Sequence, residues 1–533
     1  MRKKTVARMM SAVITGSMII SLAACGSSSA PAAESAPVES AAASTEAETT
    51  EETTNAEPLE FSYYGPIWKP YQESTPIFDE LMKRTNTMID FEWVSNDALE
   101  TQLASKVASG DLPDVISGGT SAAPGIQDLI KQGVIVPITD YLEKDMPNYV
   151  RFLEGNDYLT LTNYEDGEIY GFGLVMDVPP AFSTAIRTDW LEKLNLEMPK
   201  TWEDWVTVWK AFAKEDANGN GDPNDEVPFA VSHQFFKFVL NMFGMQSNGE
   251  FSVVDGEYLY DPENPNYEKF LDSMRELYAE GILPKEFVTL EGADFNTLGA
   301  SNTLGSYVGY AEYSKNYTIS CRELDEDAFY QCVIPIPGPD GAQNIPARAK
   351  VSSTTYITVK ALQEGKLERI LQFFDYVYSD EGIELTNYGI EGTNFEMVDN
   401  KPTLVPPYNE SFAVARENGL IPSTIPFCFT EDVYMQILMG GVTYDELEDS
   451  GQTFIDGMTI NEPYYYDEPP VIQTEAYADH FDLLEQQVAL RDKYIMGQIS
   501  KDDYNSGYEK LKQGGLNNVI EQGKEAYQKI SAQ

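Results

Sequence analysis

The sequence predicts an α/β fold with a mostly parallel sheet, distributed over more than one domain. The chain has 533 residues, more than a single hydrophobic core usually serves, so two or three domains are expected. Apolar residues make up 42% of it, which is enough for large cores. From residue 57 onward, strand-like and helix-like patterns alternate, and this order is typical of a parallel sheet covered by helices.

The first folded stretch shows this alternation element by element. In EPLEFSYYGP, Leu59, Phe61 and Tyr63 alternate with polar residues and predict a strand. The last helix of the stretch ends at Gly110, a residue typical of helix C-termini. The elements after the first strand are predicted at residues 77–84 (helix), 88–96 (strand), 98–108 (helix) and 114–117 (strand).

A later segment, TWEDWVTVWKAF, predicts a capped amphipathic helix. Thr201 and Asp204 have the spacing of a capping box, in which each side chain bonds the backbone of the other residue. Aromatic residues recur behind the cap at helical spacing, which is typical of a buried stripe and not of a ligand platform. The stripe consists of Trp202, Trp205, Trp209 and Phe212.

The charge of the chain excludes several classes of function. A formal net charge of -50 at pH 7 repels phosphate backbones and anionic headgroups, so we expect no nucleic-acid partner. The two histidines, His233 and His480, are isolated in sequence. This argues against zinc held by histidine and against a nucleophile activated by histidine.

The N-terminus has the layout of a bacterial secretory signal. MRKKTVARMMSAVITGSMIISLAACG has a basic head and an apolar run too short to span a membrane comfortably. Its end, Leu-Ala-Ala-Cys, resembles a lipobox, which implies a lipoprotein signal peptide over residues 1–24 and lipidation of Cys25. The alternative is an ordinary signal peptide with an accidental cysteine nearby.

Residues 25–56 predict a lipidated cysteine followed by a disordered acidic tether. The tether holds no aromatic and no basic residue, so it cannot bury enough apolar surface to offset the entropy of ordering. A lipid anchor and a tether place the folded part at the outer face of the cytoplasmic membrane.

Three further cysteines leave the disulfide state open. Cys321 and Cys332 flank an acidic stretch and could close a loop, which would leave Cys428 over. Three free, buried thiols are the alternative.

The stretch DANGNGDPNDEVP suggests a calcium loop. Gly221 holds the sixth position, where an EF-hand loop turns sharply, but Val227 stands at the twelfth, where an EF-hand carries glutamate. The alternative is a solvated turn rich in asparagine and aspartate. We predict a structural calcium ion, with oxygen-bearing side chains at the first, third, fifth and seventh positions: Asp216, Asn218, Asn220 and Asp222. The acidic residues that follow are Asp225 and Glu226.

Segments in a fixed order resemble the extracellular solute-binding lipoproteins of bacterial ABC importers, in particular the branch that includes alginate-oligosaccharide-binding proteins. The resemblance covers nearly all of residues 57–533. It is carried by LASKVASGDLPDVI, DGEIYGF, IRTDWLEKLNLEMPKTWEDW, EDANGNGDPNDEVP, YGIEGTNFEMVDNKP and YIMGQISKDDYNSGYEKLKQGGLNNVIEQGKEAYQK. The acidic loop is similar to the calcium loop of that branch, which implies calcium ligands at Asp216, Asn218, Asn220, Asp225 and Glu226, with Asp222 binding through its carbonyl. It departs from the branch by one extra residue between Asp222 and Asp225.

The resemblance implies a two-lobed fold of the type II periplasmic-binding-protein kind, with a hinge and a ligand cleft between the lobes. Lobe one would take residues 57–172 and 351–388, and lobe two residues 173–350 and 389–533. Hinges would lie near residues 171–173, 349–352 and 389–392; glycines at the first and third suit backbone rotation.

The implied function is binding without turnover. The chain would be a monomer that binds an oligosaccharide in the cleft and delivers it to the membrane subunits of an ABC importer. Candidate cleft residues are aromatics in loops interrupted by glycine or proline, the tyrosines that the wider family places against sugars, and two polar residues. They are Tyr64, Trp68, Trp93, Arg187, Tyr310, Tyr313, Glu391 and Tyr465.

Three alternatives remain open on sequence grounds. The same fold could bind a peptide, since nothing in the sequence excludes it. A surface glycoside hydrolase with two carboxylates is compatible with so many acidic residues, although no catalytic motif is recognisable. A sensor that reports its ligand state to a membrane kinase would use the same cleft.

Overall fold

The structure is a computed structural model. The predicted signal peptide, Cys25 with its tether, and the ligand candidate Trp68 lie outside the residues that it describes. Described are residues 57–531, apart from 67–74, 96–97, 119–123, 155–156, 158–160, 162–163, 165, 179–180, 348–349, 353, 423–424, 441 and 443.

The described chain alternates strands and helices along most of its length. The strands are β1 (Leu59–Pro66), β2 (Thr87–Val94), β3 (Val115–Ser117), β4 (Gly171–Phe172), β5 (Val175–Asp177), β6 (Phe182–Arg187), β7 (Ala230–Val231), β8 (Phe251–Val254), β9 (Glu257–Tyr260), β10 (Ser306–Tyr310), β11 (Tyr330–Val333), β12 (Ile345–Pro346), β13 (Thr355–Ile357), β14 (Phe395–Val398), β15 (Lys401–Leu404), β16 (Cys428–Thr430) and β17 (Tyr465–Tyr466).

The α-helices cover the sheets and form most of the C-terminal part. Among the described residues, none of them combines the length and the apolar character needed to cross a membrane. They span Pro76–Thr85, Leu99–Ser109, Pro124–Lys131, Leu142–Asp145, Pro147–Val150, Thr188–Lys193, Trp202–Phe212, Lys237–Met242, Tyr267–Ala279, Gly292–Ala300, Glu312–Cys321, Val359–Gln363, Leu367–Val377, Asp380–Asn387, Phe412–Glu417, Glu431–Leu438, Asp449–Ile460, Glu475–Asp479, Phe481–Ile495, Lys501–Leu511 and Asn517–Ile530.

The first sheet has the strand order β2-β1-β3-β13-β4. β1 pairs in parallel with β2 and with β3, whereas β13 is antiparallel to β3 and to β4. Leu59, Phe61 and Tyr63 are buried, as their alternation predicted. The hydroxyl of Thr75 caps the first helix by accepting a hydrogen bond from the Phe78 N–H at 3.3 Å. The predicted alternation is confirmed, with every boundary within two residues.

The second sheet has the strand order β11-β6-β10-β7 and packs on the tryptophan-rich helix. The predicted capping box between Thr201 and Asp204 is present. Trp205 and Trp209 are buried, and the Trp209 Nε1–H donates to the Ser306 hydroxyl in β10 at 2.9 Å. The aromatic stripe is therefore core, because it joins the helix to the sheet.

Two segments carry the chain between the sheets, and they pair with each other. The first, residues 173–177, leaves the first sheet after β4, and the second, residues 350–352 and 354, returns to it before β13. Val175 and Val351 form an antiparallel bridge, and the Met176 N–H donates to the Lys350 carbonyl at 2.7 Å. β16 adds to this ribbon by pairing in parallel with β5. The two crossing segments are thus held as one hydrogen-bonded unit.

Contacts after the predicted hinge at Gly389 attach the following segment to helix Asp380–Asn387. The Ile421 N–H donates to the Thr386 carbonyl at 2.7 Å, and the Asn387 Nδ2–H donates to the Cys428 carbonyl at 2.7 Å. These contacts argue for a third crossing later in the chain than Gly389. The lobe limits themselves stay a prediction.

Gly173 is expected to be required where the two crossing segments approach each other. A Cβ atom there would lie 2.7 Å from the hydroxyl oxygens of Ser352 and Thr354 and 2.8 Å from the Ser352 carbonyl oxygen. Because the carbonyl cannot move without breaking the ribbon, Gly173→Ala should lower the free energy of unfolding by about 1–3 kcal/mol in chemical denaturation.

The matched control is Gly125→Ala, because a Cβ atom at that helical position meets nothing within 4 Å. This change should leave stability unchanged or raise it by up to about 1 kcal/mol. Equal effects of the two substitutions would contradict the close approach at Gly173.

Candidate functional site

The crossing segments define one edge of each sheet, which we call the crossing edge. β6 begins after the first crossing segment, and its first residue, Phe182, pairs with Tyr310 at the end of β10. β7 runs parallel to β10, so its carboxyl end, followed by Ser232, lies at the same edge. In the first sheet, β3 is antiparallel to β13, which places the carboxyl ends of β1, β2 and β3 at the crossing edge. Ligands of open α/β sheets bind outside such carboxyl ends.

A cluster of aromatic rings, the aromatic platform, lies at the crossing edge of the second sheet. The Phe182 and Tyr310 rings stack at 5.2 Å between centroids, and Phe235 meets Tyr310 edge-on at 5.0 Å. Tyr313 meets Tyr310 edge-on at 5.5 Å, and Phe238 stacks on Phe235 at 5.4 Å. Phe182, Tyr310 and Tyr313 are half-buried, whereas Phe235 and Phe238 are buried beneath them.

The structure therefore brings Tyr310 and Tyr313 together, as their shared segment suggested. Sequence reasoning missed Phe182, Phe235 and Phe238. The available signal was the run QFFKF, which follows the short strand β7 after Ser232 and His233. Its aromatic residues show neither the spacing of a helix face nor that of a strand face, so the pattern does not assign them to a core.

Polar groups surround the platform. Burial raises the pKa of Glu312, the first residue of helix Glu312–Cys321, and the charge of Lys315 opposes this effect. Burial, with smaller contributions from Tyr310 and Glu312, raises the pKa of Tyr313 to about 12. The Ser232 hydroxyl is buried without a hydrogen-bond partner. Aromatic rings can stack on apolar ligand faces, and a carboxylate and a hydroxyl near them can accept hydrogen bonds from ligand hydroxyls.

On the first sheet, Trp93 and Tyr64 differ in exposure. Trp93 is half-buried near the end of β2 and stacks on Phe91 at 4.7 Å, so part of its surface remains available. Tyr64 is fully buried, and its hydroxyl donates to the Leu99 carbonyl at 3.1 Å. The prediction that Tyr64 faces a ligand is not supported, because β1 continues to Pro66 and turns the ring towards a helix.

Arg187 also does not reach a ligand. Its guanidinium is fully buried, donates to both carboxylate oxygens of Asp189 at 2.8 and 2.5 Å, and donates to the Asn302 Oδ1 at 2.6 Å. The Trp190 and Tyr330 rings lie 4.9 and 5.4 Å from it. Because the side chain is fully buried and bound by Asp189 and Asn302, the placement of Arg187 in the cleft is corrected to a role in the core.

The remaining candidates lie in two other places. Glu391 is exposed and forms an isolated β-bridge with Phe395. It does not belong to the strands and helices that carry the aromatic platform. Tyr465 is half-buried in β17, which pairs in parallel with β12, and burial raises its pKa. Both stay predictions as ligand contacts.

The acidic loop is closed by its own side chains. The Asp216 carboxylate accepts from the Gly221 N–H at 3.0 Å, and the Asp225 carboxylate accepts from the Asn218 and Asn220 amides at 3.2 and 2.6 Å. Gly221 has φ 94, a value that favours glycine at the sharp turn. Hydrogen bonds among its own residues thus hold the loop in a closed turn.

Two oxygens of this loop are buried without a hydrogen-bond partner: Oδ1 of Asp216 and Oε2 of Glu226. Burial raises the pKa of Glu226, and the charge of Asp225 adds to the increase. Within the described part of the chain, no three His, Cys, Asp or Glu side chains form a metal-binding cluster. Calcium also binds asparagine and backbone carbonyl oxygens, which are not among those four side-chain types. The two buried oxygens without hydrogen-bond partners are of the kind that a hard cation binds.

The three described cysteines, Cys321, Cys332 and Cys428, are free and buried. This agrees with the second of the two alternatives left open by the sequence. Burial raises the pKa of Cys332 to about 11 and that of Cys428 to about 12, so neither thiol is activated.

Comparisons with known proteins give a family. The family model described as "Bacterial extracellular solute-binding protein" matches residues 68–384, more than half of the chain. The chain is 29% identical over 331 residues to the fructooligosaccharide ABC transporter substrate-binding protein FusA of Streptococcus pneumoniae, which covers 59% of this chain and 60% of FusA. It is 24% identical over 461 residues to the polygalacturonan/rhamnogalacturonan-binding protein YtcQ of Bacillus subtilis, covering 84% of this chain and 87% of YtcQ.

Solved structures give the fold. The alginate-binding protein AlgQ2, crystallised without calcium ion, superposes with a TM-score of 0.68 at 22% identity over 89% of this chain and 98% of its own. An EF-hand mutant of Streptococcus pneumoniae FusA in complex with fructo-nystose superposes with a TM-score of 0.65 at 23% identity, over 89% of this chain and 99% of its own. The predicted two-lobed fold is confirmed.

A substitution at Arg187 separates a core role from a ligand role. Arg187→Met leaves the Asp189 carboxylate without its counter-ion in the interior, so unfolding should become easier by about 3 kcal/mol in chemical denaturation. The control Arg84→Met breaks a surface pair with Glu80 at 2.9 Å and should cost less than about 1 kcal/mol. If Arg187→Met left stability unchanged and abolished ligand binding, Arg187 would have to be assigned to the cleft.

Proposed function

Because the chain belongs to the family of bacterial extracellular solute-binding proteins, we propose that it is the substrate-binding component of an ABC importer for oligosaccharides. The observation that carries the proposal is the aromatic platform at the crossing edge, where half-buried rings lie next to Glu312 in the chain. Sugar rings present C–H faces that stack on aromatic rings and hydroxyls that donate to carboxylates. FusA and YtcQ, named for saccharides, support the ligand class.

Binding closes the two lobes on the ligand, and no covalent step is required. A ligand that touches both crossing edges stabilises the closed state by its differential contacts, and the closed form is the one that the importer accepts. A micromolar dissociation constant corresponds to about 8 kcal/mol, which a few stacked rings and charge-assisted hydrogen bonds can supply. The paired crossing segments act as the hinge because they are the hydrogen-bonded connection between the sheets.

A structural calcium ion completes the acidic loop. Asp216 and Glu226 would contribute their orphaned oxygens, and Asn218, Asn220, Asp222 and Asp225 the remaining donors. The ion supplies a hard positive charge that compensates two buried carboxylates and holds the loop. The alginate-binding protein AlgQ2, solved without calcium ion, and the FusA EF-hand mutant support this assignment, because both names imply a cation site in a protein of this fold.

The chain works as a monomer attached by Cys25 to the outer face of the cytoplasmic membrane. The lipobox-like sequence before Cys25 and the acidic tether carry this part of the proposal. It is supported by a further relative, the lipoprotein LipO of Bacillus subtilis, which is 26% identical over 363 residues and covers 66% of this chain and 70% of LipO.

The calcium proposal predicts a metal-dependent melting temperature. Calcium should raise the melting temperature of the full-length protein and EDTA should lower it, because the ion compensates buried carboxylates only in the folded state. Asp216→Ala should abolish both responses. Glu257→Gln, which removes an exposed carboxylate on β9, should keep them. A wild-type melting temperature that ignores both calcium and EDTA would refute the proposal.

The platform proposal predicts a loss of affinity on removal of one ring. Tyr310→Ala should weaken oligosaccharide binding about tenfold in calorimetry, because an aromatic stacking contact contributes about 1–1.5 kcal/mol. The control Tyr527→Ala removes a similarly stacked, half-buried ring, 4.8 Å from Tyr258, in a separate core cluster, and should leave affinity unchanged.

The same titrations separate the alternative functions. Binding of peptides but of no oligosaccharide would keep the fold and replace the ligand class. Accumulation of shorter sugars over time would identify a glycoside hydrolase and overturn the binding-only function. Capture of a membrane kinase in place of importer subunits would identify a sensor.

A further inference from the structure

We propose that the Lys193 side chain lowers the calcium affinity of the acidic loop, because its ammonium lies against the loop without an acidic partner. The inference rests on the proposed calcium ion and deepens it by naming the residue that regulates the site. It follows from the position of the ammonium, from its lack of an ion pair and from the charge of the ion that the loop would hold.

Lys193 ends the helix Thr188–Lys193, and its side chain reaches the acidic loop. A Cβ atom placed on Gly219 would lie 2.3 Å from the Lys193 Nζ and 3.5 Å from its Cε. The ammonium therefore contacts the loop at the Gly219 backbone. Gly219 stands between Asn218 and Asn220, two of the predicted calcium ligands. The positive charge of Lys193 thus lies next to the part of the loop that would bind the ion.

The end of this helix and the acidic loop also line one groove. Trp190 and Leu191, on the same short helix, are buried in the core of the second sheet. Because these two side chains hold the helix in place, the backbone of Lys193 is fixed beside the loop. The residues that line the groove together with Lys193 include four consecutive residues of the loop: Ala217, Asn218, Gly219 and Asn220.

The Lys193 ammonium has no partner among the described residues. It forms neither an ion pair nor a hydrogen bond with any of them. Lys210, on the helix that leads to the loop, is by contrast paired with Glu280 at 2.8 Å. The charge of Lys193 is therefore not neutralised by direct contact and acts on a cation in the loop. Three carboxylates line the same groove without pairing with Lys193: Glu192, Asp325 and Asp327.

A fixed ammonium beside the loop opposes a divalent cation. An ammonium donates hydrogen bonds and accepts none, so Lys193 cannot serve as a calcium ligand. Repulsion between one positive charge and a doubly charged ion over about 7 Å amounts to severalfold in a dissociation constant, even at the dielectric constant of water. The unpartnered oxygens of Asp216 and Glu226 attract the ion, and Lys193 acts against them.

The sequence of the loop acts in the same direction. The calcium affinity of an EF-hand depends on the number of its charged ligands, one of which is the glutamate at the twelfth position. Val227 stands at that position here. The loop thus lacks one negative charge, and Lys193 offsets part of the charge that remains. Such a site binds calcium less tightly than its acidic composition suggests.

The experiment measures calcium affinity in proteins that differ in this one charge. Full-length protein is freed of metal with EDTA, exchanged into buffer with about 0.1 M salt and titrated with calcium chloride in a calorimeter. Lys193→Gln should lower the dissociation constant for calcium at least about threefold, because the repelling charge is gone. In about 1 M salt the difference from the wild type should shrink, since charges are then screened beyond about 3 Å.

Two controls separate the local charge from other effects. Lys193→Arg keeps the positive charge and should bind calcium as the wild type does. Lys200→Gln removes the same charge before the helix Trp202–Phe212, which is about 16 Å long and leads to the loop, so it should leave the dissociation constant unchanged. The inference is overturned if Lys193→Gln binds calcium no more tightly than the wild type, or if Lys200→Gln gains as much affinity.

Failure of the inference and failure of the proposed calcium ion are distinguishable. If the wild type binds calcium and Lys193→Gln binds it equally well, the inference fails and the calcium ion is kept. If neither protein binds calcium, the calcium ion is refuted, and the inference with it.

Discussion

The hydrogen-bonded pairing of the two crossing segments is the constraint on which the rest of the structure depends. Val175 bridges to Val351 and the Met176 N–H donates to the Lys350 carbonyl, so two connections that are far apart in sequence form one ribbon. β4 leads into this ribbon and β13 leaves it, so the strand ends beside the ribbon are the ones at the crossing edge. Because β6 and β13 both begin beside it, the platform and the carboxyl ends of the first sheet converge without any local sequence signal for convergence.

This dependence explains what the sequence could and could not predict. Local patterns were sufficient for β1, where alternating Leu59, Phe61 and Tyr63 are buried, and for the helix capped by Thr201, because these signals act within a few residues. The same local reasoning was wrong for Tyr64. A tyrosine before Gly-Pro reads as a loop residue, yet pairing with β2 and β3 extends the strand through Pro66.

Arg187 and the aromatic platform both show why local sequence could not predict the site. An arginine at a strand end reads as a ligand contact, but Asp189 two residues later and Asn302 from a distant segment saturate it. Phe235 and Phe238 become part of a site only because Phe182 and Tyr310 pair across β6 and β10. Sequence predicts which elements form; the site depends on long-range pairings that no window of sequence contains.

The platform also has an energetic advantage over the loop aromatics that the sequence suggested. Tyr310 is already held by a stacked ring on one side and by edge-on rings on others, so binding a sugar orders few additional side-chain torsions. Its lower layer, Phe235 and Phe238, is buried and fixes that geometry before any ligand arrives. A preformed apolar face on one sheet leaves discrimination to the polar groups around it.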